Sequence, residues 1–288
     1  DVAFNYRYAP TARKIKELLL SETIGEIASV DFHWYLDTEH GADYFRRWHA
    51  HFASSGSLFV HKATHHFDLL NWYLDSEPVE VYARGALRNY GSAGPFRGIR
   101  CKTCPYARIC DYHVDISRDS RLQLLYEEPS THDGYFRDAC VFREEIDIPD
   151  TMSASIIYRN GVQVSYSLNT FMPIEGHHLA FNGRNGRVEI RQYERQPWET
   201  PDHDEILVMK NFGPVERVVV PHEPGGHFGG DPVLRRMLFK PGGMPDPLRQ
   251  RADARAGALS VLCGVAATES MRRDRPVSIA ELNGLPTG

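Results

Sequence analysis

From Met152 to Tyr158, and again from Val162 to Phe171, apolar and polar residues alternate on either side of Arg159-Asn160-Gly161. Successive side chains of a strand point to opposite faces, so this spacing predicts two strands that each bury one side. Asn-Gly between them supplies the positive φ angles that a tight hairpin needs. A further strand carries Val30, Phe32, Trp34 and Leu36 on one side, with Asp31, His33, Tyr35 and Asp37 on the other. Strands are also expected over Val79–Ala83, around Gly183-Arg184-Asn185-Gly186, and at Glu205–Met209 and Val215–Val220. Pro10–Ser21 has helical spacing, with Pro10 suited to a first turn, and two more helices are expected near Asp231–Leu238 and Ala252–Met271. Strands joined by hairpins, with helices at both ends, predict an α+β fold: a mostly antiparallel open sheet with helices covering one face.

The chemistry is concentrated at Val60-His61-Lys62-Ala63-Thr64-His65-His66-Phe67-Asp68, after a glycine-serine stretch at Ser54–Ser57. Read as one helix, His61, His65, Asp68 and Trp72 share a face, while Phe59, Phe67, Leu70 and Leu74 form an anchored one. Imidazoles suit proton transfer near neutral pH, so this stripe is the first candidate for a catalytic site. Upstream, Tyr44-Phe45-Arg46-Arg47-Trp48-His49 is a polar-aromatic string. Aromatic faces for C–H surfaces and forked donors for hydroxyls suit a polyhydroxyl ligand. Ordinary surface charge is the competing reading for Arg46 and Arg47.

The net charge of −5, without a basic block, argues against nucleic acid as a partner. No apolar run approaches the length of a membrane span. The chain opens at Asp1 with neither a start methionine nor a signal peptide, so its beginning reads as cut. A cytoplasmic location is expected, with an upstream export signal left open. No G-x-G-x-x-G, Walker A, G-x-S-x-G or H-E-x-x-H motif occurs.

Ser55-Gly56-Ser57-Leu58-Phe59-Val60-His61-Lys62-Ala63-Thr64-His65-His66-Phe67-Asp68 resembles the segment of the glucose–fructose oxidoreductase / inositol dehydrogenase (Gfo/Idh/MocA) family that reads glycines, then Asp, His and Asp. Asn5-Tyr6-Arg7-Tyr8-Ala9-Pro10, Ile24-Gly25-Glu26-Ile27, Gly225-Gly226-His227-Phe228-Gly229-Gly230-Asp231 and the closing helix are similar to it too. The resemblance implies that residues 1–288 are the C-terminal substrate-binding and oligomerisation domain of a two-domain oxidoreductase, with the dinucleotide-binding domain absent from this chain. It implies hydride transfer from a sugar, sugar derivative or cyclitol hydroxyl to NAD or NADP, and a homo-oligomer. His65 matches the family's acid/base histidine, with His61 and Lys62 expected to act on the same oxygen. His61 stands where the family has aspartate, and Ser55 and Ser57 stand where it has glycines. Asp68 matches the helix aspartate; with Tyr44, Arg46, Arg47, Trp48, His49 and His227 it is expected near substrate. Arg7 and Tyr8 are expected near the cofactor.

Cys101-x₂-Cys104-x₅-Cys110, followed by Cys140, lies in a Cys-rich insertion at about residues 95–147. Four soft ligands suit structural zinc, an iron–sulfur cluster has no better spacing argument, and disulfides or reduced thiols are the plain alternatives. Two further function classes stay open: a metal-dependent hydrolase or isomerase, or an NAD-assisted glycosidase, as one; and a non-catalytic sugar-binding module as the other.

Overall fold

In the computed structural model, which describes residues 1–240 and 243–282, the alternating segments become β1 (Ile27–Asp37), β2 (Pro78–Ala86), β3 (Thr151–Tyr158), β4 (Gln163–Met172), β5 (Glu175–Gly183), β6 (Gly186–Arg195), β7 (His203–Lys210), β8 (Val215–Pro221) and β9 (Val277–Ser278). They form one sheet in the order β8-β7-β6-β5-β1-β4-β3-β2-β9. Every pairing is antiparallel except β1 with β4, which runs parallel at the centre, Trp34 opposite Leu168. The helices are α1 (Pro10–Leu20), α2 (His40–Arg46), α3 (Phe52–Ser55), α4 (Leu58–His61), α5 (Thr64–Leu74), α6 (Ser120–Leu122), α7 (Ser130–Asp133), α8 (Gly230–Phe239) and α9 (Ala254–Arg273). The α+β expectation holds. No helix among the described residues is long and apolar enough to cross a membrane.

The period-2 pattern places the core. Val30, Phe32, Trp34 and Leu36 are buried, as are Met152, Ile156, Val164, Tyr166 and Leu168 on the neighbouring strands. Each such apolar side chain stabilises the fold by about 1.5–3 kcal/mol through burial. Phe59 of α4 and Phe67 of α5 close on Tyr166 at ring distances of 6.2 and 5.1 Å, which seats the histidine segment on this face. α9 lies so close to α4 that a Cβ at Gly264 would run into the Phe59 carbonyl. The opposite face is polar: His33 pairs with Ser167 at 2.9 Å, and Arg187 with Asp31 at 3.0 Å.

The expected turn Arg159-Asn160-Gly161 is closed by the Tyr158 amide donating to the Val162 carbonyl at 2.9 Å. Only Gly161 takes a positive φ (84°), as in loops that close on a left-handed glycine. Asn160 instead donates to the Leu74 carbonyl and ties the hairpin to the end of α5. Between β2 and β3 lies the insertion, whose start is gathered by the Asp150 carboxylate accepting from the backbone of Arg88, Asn89 and Tyr90.

Candidate active site

The histidine segment is two helices, not one. Its hydrogen-bond ladder breaks at the junction: the Ala63 amide reaches back to Leu58, whereas the His65 amide bonds to Lys62 at 3.4 Å. His61 therefore ends α4 and His65 sits in the first turn of α5, so the shared helix face expected for them does not exist. Ser57 starts α4 at φ 74° and ψ 173°, a region that favours glycine, and its hydroxyl accepts from the Phe59 amide.

His65 faces an aromatic wall from the N-terminal segment, with Phe4 and Tyr6 edge-on at 5.5 Å each. Tyr6 is the hub of this wall, with Trp34, His65 and the His227 ring all at 5.5 Å. Burial, then Lys62, His227 and His61, push the His65 imidazole down to about 4, so it is neutral at ordinary pH. Neither of its ring nitrogens has a hydrogen-bond partner among the described residues; Nδ1 is buried and unpaired. Lys62, also buried, lays its ammonium over the Trp34 and Tyr6 rings at 5.5 and 5.9 Å and has no hydrogen-bond acceptor among the described residues. Burial lowers its pKa, and the carboxylates of Glu175 and Glu194 pull it back up.

His227 sits in the glycine-rich loop, where it and Phe228 both adopt positive φ (53° and 57°). Its Nδ1 lies 3.0 Å from the Asp231 carboxylate, which also accepts from Asn5. On the other side, His61 meets His49 at 4.1 Å, Trp48 at 5.3 Å and Tyr44 at 5.7 Å. Burial lowers the pKa of both imidazoles, that of His49 to about 4. Arg47 pairs with Asp43 at 3.3 Å. Thus His61, Lys62, His65, His227, Tyr44, Trp48 and His49 gather around one region.

Other expected site residues turn inward. Arg7 grips Asp68 through two hydrogen bonds, 2.7 and 2.5 Å, both side chains buried, so Asp68 holds the chain's start onto α5. Burial still raises the Asp68 carboxyl to about 6 against the pull of Arg7. Tyr8 packs against Leu234 and Met237 of α8. Arg7 and Tyr8, expected near the cofactor, are both buried within this domain. Arg46 is buried too, donating to the carbonyls of Tyr112 and Ala139 and to Cys101 Sγ, which clamps the insertion onto α2.

The structure gives the zinc expectation no support. Cys101, Cys104, Cys110 and Cys140 line one small cavity, but no group of three or more His, Cys, Asp or Glu among the described residues is arranged to hold a metal ion. All are free thiols, and burial raises that of Cys110. Arginine holds the insertion instead: Arg100 grips Asp138 (2.9 Å) and Glu127 beside the Arg46 clamp.

Tyr6, His40, Glu175 and Glu194 were not singled out in the sequence. Glu175 is buried and binds His40 Nδ1 at 2.9 Å and the Asp37 amide at 2.8 Å. Its placement in a strand beside Gly176 carries no motif. Tyr6 adjoins Arg7 in a quoted segment, and the aromatic run Phe4-Asn5-Tyr6 was the available signal.

Residues 12–189 match the GFO/IDH/MocA C-terminal domain. The Bacillus subtilis (strain 168) protein named "Putative oxidoreductase YteT" is 41% identical over 98% of this chain and 69% of its own length. Among solved structures, levoglucosan dehydrogenase in complex with NADH and levoglucosan superposes with a TM-score of 0.61 at 16% identity, over 96% of this chain and 66% of that one. Myo-inositol 2-dehydrogenase from Lactobacillus plantarum gives 0.54 at 18% identity, over 96% and 63%. Aldose-aldose oxidoreductase from Caulobacter crescentus, complexed with glycerol, gives 0.57 at 13% identity, over 95% and 62%. The chain thus spans about two thirds of the length of these proteins. The match over residues 12–189, with 41% identity to the Bacillus subtilis oxidoreductase over 98% of this chain, makes this chain a member of the Gfo/Idh/MocA family through its C-terminal domain.

Proposed function

We propose that this chain is the substrate-binding half of an oxidoreductase that removes hydride from a hydroxyl-bearing carbon of a sugar, sugar derivative or cyclitol, with His65 as the acid/base. The observation that carries this reading is the state of His65: neutral, free of hydrogen bonds to protein among the described residues, and near the buried Lys62 side chain. Oxidising an alcohol breaks C–H and O–H together, so the site must accept a proton as the hydride departs. When bound, NAD or NADP supplies the hydride acceptor. The remaining work belongs to the chain. His65 takes the hydroxyl proton. Lys62, with no hydrogen-bond acceptor of its own among the described residues, stabilises negative charge on the same oxygen. Tyr6 and Phe4 keep water from the His65 ring, and an unpaired buried imidazole nitrogen fits a site where a hydride acceptor and a hydroxyl must meet. Tyr44, Arg47, Trp48, His49, His61 and His227 are assigned to orienting the substrate. The names of the dehydrogenases above, and of the oxidoreductase relative, support the class of reaction. A second copy is proposed to cover the polar sheet face at His33, Ser167 and Arg187; light scattering of the full-length protein tests this.

The metal-dependent alternative loses its geometric basis, because His61 and His65 do not share a helix turn and no ligand cluster surrounds them among the described residues.

In the full-length protein, His65→Ala should lower kcat by about 10²–10⁴-fold and leave KM within a few-fold, followed by reduced-nicotinamide absorbance over a panel of sugars and cyclitols. An unchanged kcat removes His65 from the chemistry.

A further inference from the structure

Beside the histidine site lies a cavity of about 680 Å³ that the proposed reaction does not use. One side of its lining is the β1–α2 connection and α2, through Thr38, Glu39, His40, Ala42 and Asp43. Its far wall is the insertion, through Asp111–Ile116, Leu122 and Arg137, and its near wall is Glu194 and Arg195 of β6. The two sites share their borders. His40 stacks on Tyr44 at 5.3 Å, and Tyr44 meets His61 at 5.7 Å. Glu194 lies close enough to Lys62 and Tyr6 to perturb both electrostatically. The volume falls within the roughly 300–1,000 Å³ of cavities that enclose a drug-sized ligand, more than one sugar ring needs.

The lining states the charge of the ligand. Each of its three cations is already engaged: Arg46 by carbonyls of the insertion, Arg137 by Asp43, and Arg195 by Asp37 at 2.5 Å. Glu39, Asp111 and Glu194 have no ion-pair partner among the described residues, and Asp111 and His113 make no side-chain hydrogen bond there. A phosphate or carboxylate would meet acceptors and no available cation, at a cost of like-charge repulsion. Hydroxyls, by contrast, donate to carboxylates and accept from imidazoles, while Val114, Ile116 and Leu122 offer surface for C–H faces.

We propose that this cavity is a second sugar subsite, built by the insertion, and that the substrate is an uncharged oligosaccharide or glycoside whose reacting ring lies at His65 and whose next ring lies between α2 and Asp111–Ile116. The proposal rests on the redox reading of the His65 site and specifies its substrate. Asp111 is exposed and His113 half-buried, so both can be replaced without disturbing the core.

The test uses the full-length protein with glucose, galactose, cellobiose, maltose and lactose, and with glucose 6-phosphate and glucuronate as charged probes. Turnover is read by reduced-nicotinamide absorbance, and binding separately by saturation-transfer NMR. Saturation should reach both rings of at least one disaccharide. Asp111→Ala/His113→Ala should cut kcat/KM for that disaccharide at least ten-fold more than for the monosaccharide. His113→Ala alone should show the same direction, with Tm near wild type in both variants. Equal losses on both sugars, no advantage of any disaccharide, or preferred binding of the charged probes overturns the proposal. Two-ring saturation that the variants abolish, with no sugar oxidised, retains the subsite and removes the redox reading. Monosaccharide oxidation without any disaccharide binding does the reverse.

Discussion

Ser57 shows how one residue can hold a strained turn that a glycine would relax. At φ 74° and ψ 173° it occupies backbone space costing of order 1–3 kcal/mol for a residue with a Cβ. It recovers part of that through its hydroxyl, which accepts from the Phe59 amide and lies 3.3 Å from Thr268 Oγ1. Ser57→Ala keeps the strain and loses the cap, so its urea midpoint should correspond to about 1 kcal/mol less stability. Ser57→Gly should be at least as stable as the alanine variant by about 1–2 kcal/mol; the reverse order would mean that the hydroxyl, not the backbone, decides this turn. Residue identities were readable from the sequence in an uneven way. His65 and Lys62 stood out because titratable groups beside an apolar run are conspicuous. Tyr6 and Glu175 did not, because their part in the site depends on strand pairing and on where the chain's start returns.

At the scale of elements, period-2 alternation gave β3 and β4 to within a residue and β1 except for its first three residues, since each has one apolar and one polar face. The helix break at Lys62-Ala63 was not readable: nothing in the composition of Val60–Asp68 opposes a continuous helix, and packing imposes the break. Part of that packing is the approach of α9 to α4 at Gly264. Alanine there is the better helix former by about 1 kcal/mol, yet its Cβ would strike the Phe59 carbonyl. Gly264→Ala should therefore be net destabilising, by about 1–3 kcal/mol, seen as a lower Tm. A raised Tm would show that the two helices separate freely. The insertion illustrates the converse case. Its cysteine spacing invited a metal, whereas Arg46 and Arg100 are the groups that bind it to the body of the fold.

Across the whole molecule, several imidazoles are enclosed in neutral form. Trp34 is stacked between His66 at 3.9 Å and His177 at 4.6 Å, and burial pushes His177 down to about 3 and His66 well below its ordinary value. His65 lies at about 4. A histidine with a lowered folded pKa binds its proton more readily when unfolded. Its stabilising contribution is complete above about pH 6.5 and declines as pH falls toward the folded value. Stability should thus fall between pH 6.5 and 4, with up to about 1.4 kcal/mol per pH unit from each such group. His177→Phe, which retains an aromatic ring against Trp34, should reduce the pH slope of the urea-unfolding free energy by close to one proton. A slope equal to wild type would place the acid sensitivity elsewhere.

The parallel pairing of β1 with β4 also bears on how the chain reaches this state. β5 to β8 form one ladder of sequential neighbours and β3 with β4 another, both closed by short connections. β1 must cross between them from far upstream, so the centre of the sheet is its least local part and the slowest to close. Tyr6, Trp34, Lys62, His65, Glu175 and His227 come from both sides of that seam. Neither ladder alone can present the site, so binding competence should emerge in refolding only with the final, long-range step, after most of the strand signal has returned.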